Sequence, residues 1–176
     1  VSIFFTSYAL LRGPLTSAYN LVARVLPDFT ALAHGRNPSD LWRWAPRIAA
    51  GGLGIAGLGA LGAGLLLQPI VEAVYGSEFA PPTLMAVLGG AGVGLGLGAL
   101  FAAQVYSAAA LGRHLALGWL VALVAAVTVL LLSDMEPVNR VALAFFVGEG
   151  CGLAMLGLVL PRWAKDAMLS AAGSRR

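Results

Sequence analysis

Arg12 and Glu149 offer the most chemistry in this chain, because each stands alone inside a long apolar stretch. An ionisable side chain at bilayer depth costs at least about 2.5 kcal/mol, so it turns toward a cavity, water or a partner rather than lipid. Glu149 lies near the middle of its run. It either contacts a cation, proton or substrate in a central cavity, or serves as a structural carboxylate that is protonated or paired with an arginine of the first span. Arg12 either holds an anionic group or extends its long stem outward to the interface. Arg24 is a third candidate for substrate contact, although Asp28 four residues on makes an i,i+4 ion pair the plainer reading. Gln68 and Gln104 read as interhelical hydrogen-bonding groups rather than ligands. His34 and His114 lack cysteine or carboxylate partners at ligand spacing, so no metal site is expected. Cys151 sits in an apolar run and cannot form an internal disulfide.

Other chemistry is missing from the sequence. There is no GxSxG elbow, Walker loop or HExxH pair. The glycine-rich stretches lie within apolar runs rather than after a strand, where a nucleotide loop belongs. No catalytic residue and no cofactor is expected, and the chain does not read as an enzyme. A net charge of +3 with scattered basic clusters does not suggest nucleic acid as a partner.

The elements that must position these residues are membrane helices. Only 11% of residues are charged and 59% are hydrophobic, against about a quarter charged in soluble domains. Several runs exceed the roughly 20 apolar residues needed to cross about 30 Å of hydrocarbon. A β-barrel would alternate polarity in short segments, and these runs are continuous. The expected fold is therefore all-α, a polytopic membrane bundle of about five helices. It occupies residues 1–166, with spans near 2–33, 48–74, 82–111, 115–132 and 141–160, and a basic tail follows at 167–176.

The first span is the least apolar and is expected to kink at Pro14 and Pro27. Asn37-Pro38-Ser39-Asp40 reads as a helix start, and with Trp42, Arg43, Trp44 and Arg47 beside it marks a short interfacial helix. In the second span Ala56, Ala60 and Gly64 suggest one small-residue ridge. In the third, Gly90, Gly94 and Gly98 form a doubled GxxxG stripe, a pattern for close helix packing. The fourth span is the most uniformly apolar and is expected to face lipid.

Basic residues set the orientation. Arg36, Arg43, Arg47, Arg113, Arg162, Lys165, Arg175 and Arg176 fall on one side. The opposite connections hold Arg140 against Glu72, Glu78, Asp134 and Glu136. The carboxyl terminus is thus expected in the cytoplasm and Val1 outside, in an inner (cytoplasmic) membrane. The chain opens at Val1 without a basic n-region and cleavage site, so the sequence is expected to begin inside a longer protein.

Several stretches together resemble the C-terminal lobe of polysaccharide flippases in the multidrug/oligosaccharidyl-lipid/polysaccharide exporter superfamily. An apolar helix reaches Val25-Leu26-Pro27-Asp28-Phe29 and passes to the basic loop Arg36–Arg43. The next helix ends in Val74-Tyr75-Gly76-Ser77-Glu78-Phe79. A small-residue helix, the turn Ala110-Leu111-Gly112-Arg113-His114 and a very apolar helix follow. The resemblance covers nearly the whole chain and rests on the order of these phrases. It implies two helical lobes around a cavity that opens alternately to each side and carries a lipid-linked saccharide. It also implies membrane lipids and a missing N-terminal lobe as partners, with Arg12 facing the substrate's pyrophosphate. Five helices alone depart from that two-lobed plan. A multidrug or cation exporter lobe, and a small structural membrane subunit packing through its glycine stripes, are the alternatives.

The orientation makes a direct prediction. With Cys151 removed, a cysteine placed at Ser77 should react with an impermeant thiol reagent added outside intact cells, and one at Asn37 should stay unlabelled. Outside labelling at Asn37 would reverse the assigned topology.

Overall fold

The computed structural model describes residues 2–34 and 39–162, all of whose regular structure is helical. α1 spans Ser2–Ala33, α2 Ser39–Trp42, α3 Trp44–Tyr75, α4 Thr83–Ala108, α5 Gly112–Leu132 and α6 Pro137–Ala154. A π turn, Met155–Val159, carries α6 onward as far as Arg162, the last of the described residues. Four helices, α3, α4, α5 and α6 with its extension, are long and apolar enough to cross a membrane. α1 is as long as α3 but less apolar, and runs unbroken through Pro14 and Pro27. The fold is an all-α membrane helix bundle. The basic tail, the 35–38 part of the loop and the side chain of Arg12 lie outside the described residues.

α4 is the axis of the bundle. It is apolar on every side and buried over nearly its whole length from Met85 to Ala108, the pattern of a helix with no solvent face. α3, α6 and α1 pack around it. α3 makes the closest approach: Gly90 meets the Gly59 carbonyl, Gly94 meets Ala56, and Gly98 meets Gly52. A β-carbon at Gly98 would lie 2.8 Å from the Gly52 Cα. Without hydrophobic attraction between helices in lipid, such backbone contact supplies the packing. The ridge on α3 differs from the 56/60/64 line. It runs Gly52, Ala56, Gly59, Ala63, alternating steps of four and three that stay on one face. Steps of four alone drift by about 40° each at 3.6 residues per turn, so Ala60 turns into a groove and Gly64 meets Val87 instead.

The connections are tightly made. After α3, Gly76 adopts φ 102°, which favours glycine, and a 3₁₀ turn, Ser77–Phe79, leads to Pro81 and Pro82 ahead of α4. α4 closes with a Schellman motif: the Leu111 N–H donates to the Tyr106 carbonyl at 2.9 Å and the Ala110 N–H to that of Ser107 at 3.1 Å. Ala110 holds the left-handed position at φ 56°. α5 buries only Gly118 and Ala122, both against α6, and turns Leu120, Leu123, Val124, Leu131 and Leu132 outward. It presents the most lipid-facing surface of the long helices.

The π turn has a chemical reason that begins at Pro161. The Leu160 N–H bonds to the Met155 carbonyl, five residues back. The next donor in that pattern would serve the Leu156 carbonyl, but it belongs to Pro161, which has no N–H. Tyr106 on α4 fills the vacancy, its hydroxyl donating to the Leu156 carbonyl at 2.7 Å. Tyr106 is fully buried, and Trp42 stands edge-on to it with ring centroids 5.4 Å apart. Phe29, Leu41, Leu156 and Leu160 complete this cluster, which ties α1, α2, α4 and the end of α6 together.

Two substitutions test this packing. Gly94→Leu should lower the thermal unfolding midpoint in detergent, since overpacking costs about 1–3 kcal/mol. Gly51→Ala, whose new methyl meets nothing within 4 Å, should leave the midpoint unchanged or raise it, since alanine adds up to about 1 kcal/mol of helix stability. Equal midpoints for the two would show that the glycine stripe is not a contact surface. Separately, Tyr106→Phe should cost about 1–3 kcal/mol by stranding the Leu156 carbonyl. Faster hydrogen exchange at the end of α6 is the accompanying signal, and an unchanged midpoint and exchange rate would contradict that role.

Candidate functional site

Glu149 is positioned by the α4–α6 contact. Phe145, one turn earlier on α6, lies over Gly92, and Glu149 lies over Gly96. The carboxylate occupies space that a side chain at position 96 would take, for a β-carbon there would sit 3.1 Å from its Oε2. Oε2 is enclosed and has no hydrogen-bond partner among the described residues. No described side chain of the first span pairs with it, and the side chain of Arg12 lies outside the described residues. An enclosed carboxylate oxygen is an acceptor for a proton, a cation or a substrate hydroxyl. α1 and α6 both pack on α4, but among the described residues they make little contact with each other. Glu149 consequently remains half-buried rather than sealed.

Arg12 follows Leu11, whose side chain fills the space beside Gly89 of α4. Since α1 and α4 run parallel, with Phe29 reaching the Tyr106 cluster, the Arg12 backbone lies about two turns, roughly 10 Å, from the level of Gly96. Its side chain is outside what is described. Arg24 and Asp28 are both exposed, and no ion pair joins them among the described residues. Such an exposed pair is worth only a few tenths of a kcal/mol on a helix. The two glutamines also differ from the interhelical expectation. The Gln68 Nε2 donates to Glu72 Oε1 at 3.0 Å, and the Gln104 Nε2 donates to the Leu100 carbonyl at 3.3 Å, both within their own helices. Gly90, Gly94 and Gly98 all face α3.

A second feature was not anticipated from the sequence. α3 and α6 flank α4 without closing over it, and a groove of about 400 Å³ runs between them, walled by Ala49, Leu53, Gly57, Ala60, Phe146 and Gly150. It is almost wholly apolar. At Leu158 it meets a second hollow of about 380 Å³, lined by Trp42, Arg43, Pro46, Gly157, Pro161 and Arg162. The spacing of small residues on α3 hinted at close packing, but only the tertiary arrangement shows where packing stops.

Comparison with protein-family models, curated proteins and solved structures returned no match to this chain.

Proposed function

We propose that this chain is a helical lobe of a membrane transporter that moves a lipid-linked saccharide across the cytoplasmic membrane by alternating access. The observation that carries the reading is Glu149: a carboxylate within an apolar helix, one oxygen enclosed and without a hydrogen-bond partner among the described residues, beside a gap between α1 and α6. Intramembrane ionisable groups of this kind mark substrate or ion pathways. A second lobe closing over that gap would place Glu149 on a central cavity, with Arg12 of α1 holding an anionic pyrophosphate there. The order of sequence phrases that resembles the polysaccharide flippases supports this choice of substrate.

Two other readings have an observation each. A cation exporter lobe is favoured by the enclosed carboxylate oxygen of Glu149, which has no hydrogen-bond partner among the described residues. A structural subunit is favoured by Gly51 and Gly54, which face outward with nothing near them and offer a close-approach surface to a partner helix.

In cells lacking their own flippase, the intact gene product carrying Glu149→Gln should transport at least about tenfold less than wild type, the value of one lost hydrogen bond to a charged group. Arg12→Ala should fall similarly and Arg12→Lys less, because lysine keeps the charge and loses the planar fork. Protein levels are measured alongside. Full transport by both Glu149→Gln and Arg12→Ala removes the proposal, and loss of drug or cation efflux with saccharide transport intact transfers it to the exporter reading.

A further inference from the structure

The Leu160 N–H has two carbonyls within one residue of each other to choose between. In the π turn it bonds to that of Met155, five residues back, and the Leu156 carbonyl is left to the Tyr106 hydroxyl at 2.7 Å. In a plain α winding the same N–H would take the Leu156 carbonyl, four residues back, and Tyr106 would meet an acceptor already engaged. The two windings therefore differ by one exchange of partners. They also differ in which way the chain beyond them faces, by one residue's rotation. Across a helix about 11 Å wide that rotation moves a side-chain tip by about 8 Å. Rewinding would lift Leu160 and Pro161, both buried, from their seats and carry Arg162 out of the hollow it shares with Trp42, Pro46 and Gly157. The π winding keeps those seats and gains the tyrosine bond, while the α winding is the commoner one.

Trp42 governs access to that bond. Its ring stands edge-on to Tyr106 and is buried, yet its indole nitrogen has no hydrogen-bond partner among the described residues. It lines two hollows, the one that reaches Arg162 and another of about 100 Å³ beside Ala33, His34 and Ala109. There is space on both sides of this residue, and no hydrogen bond pins its ring. A shift of Trp42 would admit water to the Tyr106 hydroxyl, and water competes for such a donor.

We propose that the end of α6 is a two-register switch, π-wound while the Tyr106 hydroxyl bonds to the Leu156 carbonyl and α-wound when that bond is released, with Trp42 of α2 as its latch. π turns within α-helices recur at functional sites, and an element with two discrete arrangements is what lets one part of a fold bias another. Here those parts are the connection between α1 and α3, which carries Trp42, and the end of α6, which carries Arg162. Tyr106→Phe strands the Leu156 carbonyl only while the π winding lasts. Rewinding returns that carbonyl to the Leu160 N–H, and the cost becomes the lost burial of Leu160 and Pro161. The switch does not depend on the transport reading.

The test places nitroxides at Pro46→Cys and Arg162→Cys in the intact protein with Cys151→Ser, in lipid nanodiscs, and reads their separation by electron paramagnetic resonance. With Tyr106 and Trp42 in place one main separation is expected. Tyr106→Phe should raise a second, displaced population by about tenfold, the value of one hydrogen bond, and Trp42→Leu should move the distribution the same way. Deletion of Leu158, an exposed residue, is the control. Without the extra residue an α winding pairs Leu160 with Met155, leaves the Leu156 carbonyl to Tyr106 and keeps Arg162 facing the hollow. The deletion should therefore preserve the main separation and make it insensitive to Tyr106→Phe. A displaced separation in the shortened chain, or an equal response to Tyr106→Phe with and without Leu158, would mean fraying rather than rewinding and would overturn the proposal. So would an unmoved distribution in Tyr106→Phe. An unmoved one in Trp42→Leu alone would remove the latch.

Discussion

Backbone-to-backbone contact between α3 and α4 is the constraint on which the rest of this bundle depends. Where Gly52, Gly59, Gly90 and Gly98 meet, two helices approach as closely as their main chains permit. In water such glycines would weaken each helix; in lipid the approach gains dispersion contact that larger residues would prevent. With α3 drawn in so tightly, α4 has room for α1 and α6 on its remaining faces, and it becomes a buried axis. α6 uses the same device on a different scale, laying Phe145 and Glu149 over Gly92 and Gly96. Glycine at position 96 thus does for a carboxylate what glycine at 98 does for a helix.

The parts of this arrangement that could be read from sequence are those governed by short-range periodicity or by solvent. Long uncharged runs announce spans because hydrocarbon tolerates few charges. The stripe at 90, 94 and 98 is visible because its repeat matches the helix. The helix start expected near Ser39 was legible, and α2 occupies Ser39–Trp42, but Trp42 turns inward onto Tyr106, a contact that the string does not show. Glu149 stood out as a lone carboxylate, yet nothing in the string pairs it with Gly96, more than fifty positions earlier. Ala60 and Gly64 misled for a related reason: a regular step of four looks like a ridge in one dimension and drifts off the face in three. Gln68 and Gln104 satisfied themselves locally, through groups one turn away, a choice that composition cannot reveal. The α3–α6 groove is set by the spacing between two helices, which no property of either alone determines.

The bilayer also demands that every buried backbone group find a partner, and this connects remote parts of the chain. Pro161 removes a donor, the π turn redistributes what remains, and Tyr106 reaches across from α4 to supply the missing proton. A proline, a changed helical pitch and a tyrosine fifty residues before the acceptor form one solution to one unmet hydrogen bond. The aromatic cluster around Tyr106 then excludes competitors for that bond, since Trp42 and Phe29 pack against it and Leu156 covers the other side.

The π turn also changes the bookkeeping of direction along α6. A turn that takes in one additional residue sets everything beyond it back by one position, about 100° of rotation. Upstream, Phe146 and Gly150 look into the groove; downstream, Pro161 and Arg162 look into its polar end. In an uninterrupted α-helix Arg162 would have rotated away toward the surrounding lipid and the flank beside α5. The inserted residue therefore works as a phase correction, keeping two segments of one long helix facing the same way past a point where plain helical geometry would have separated them. A family of chains built on this plan could keep or lose the basic end of the groove through a single-residue insertion or deletion in Met155–Val159, with every side chain that lines it unchanged.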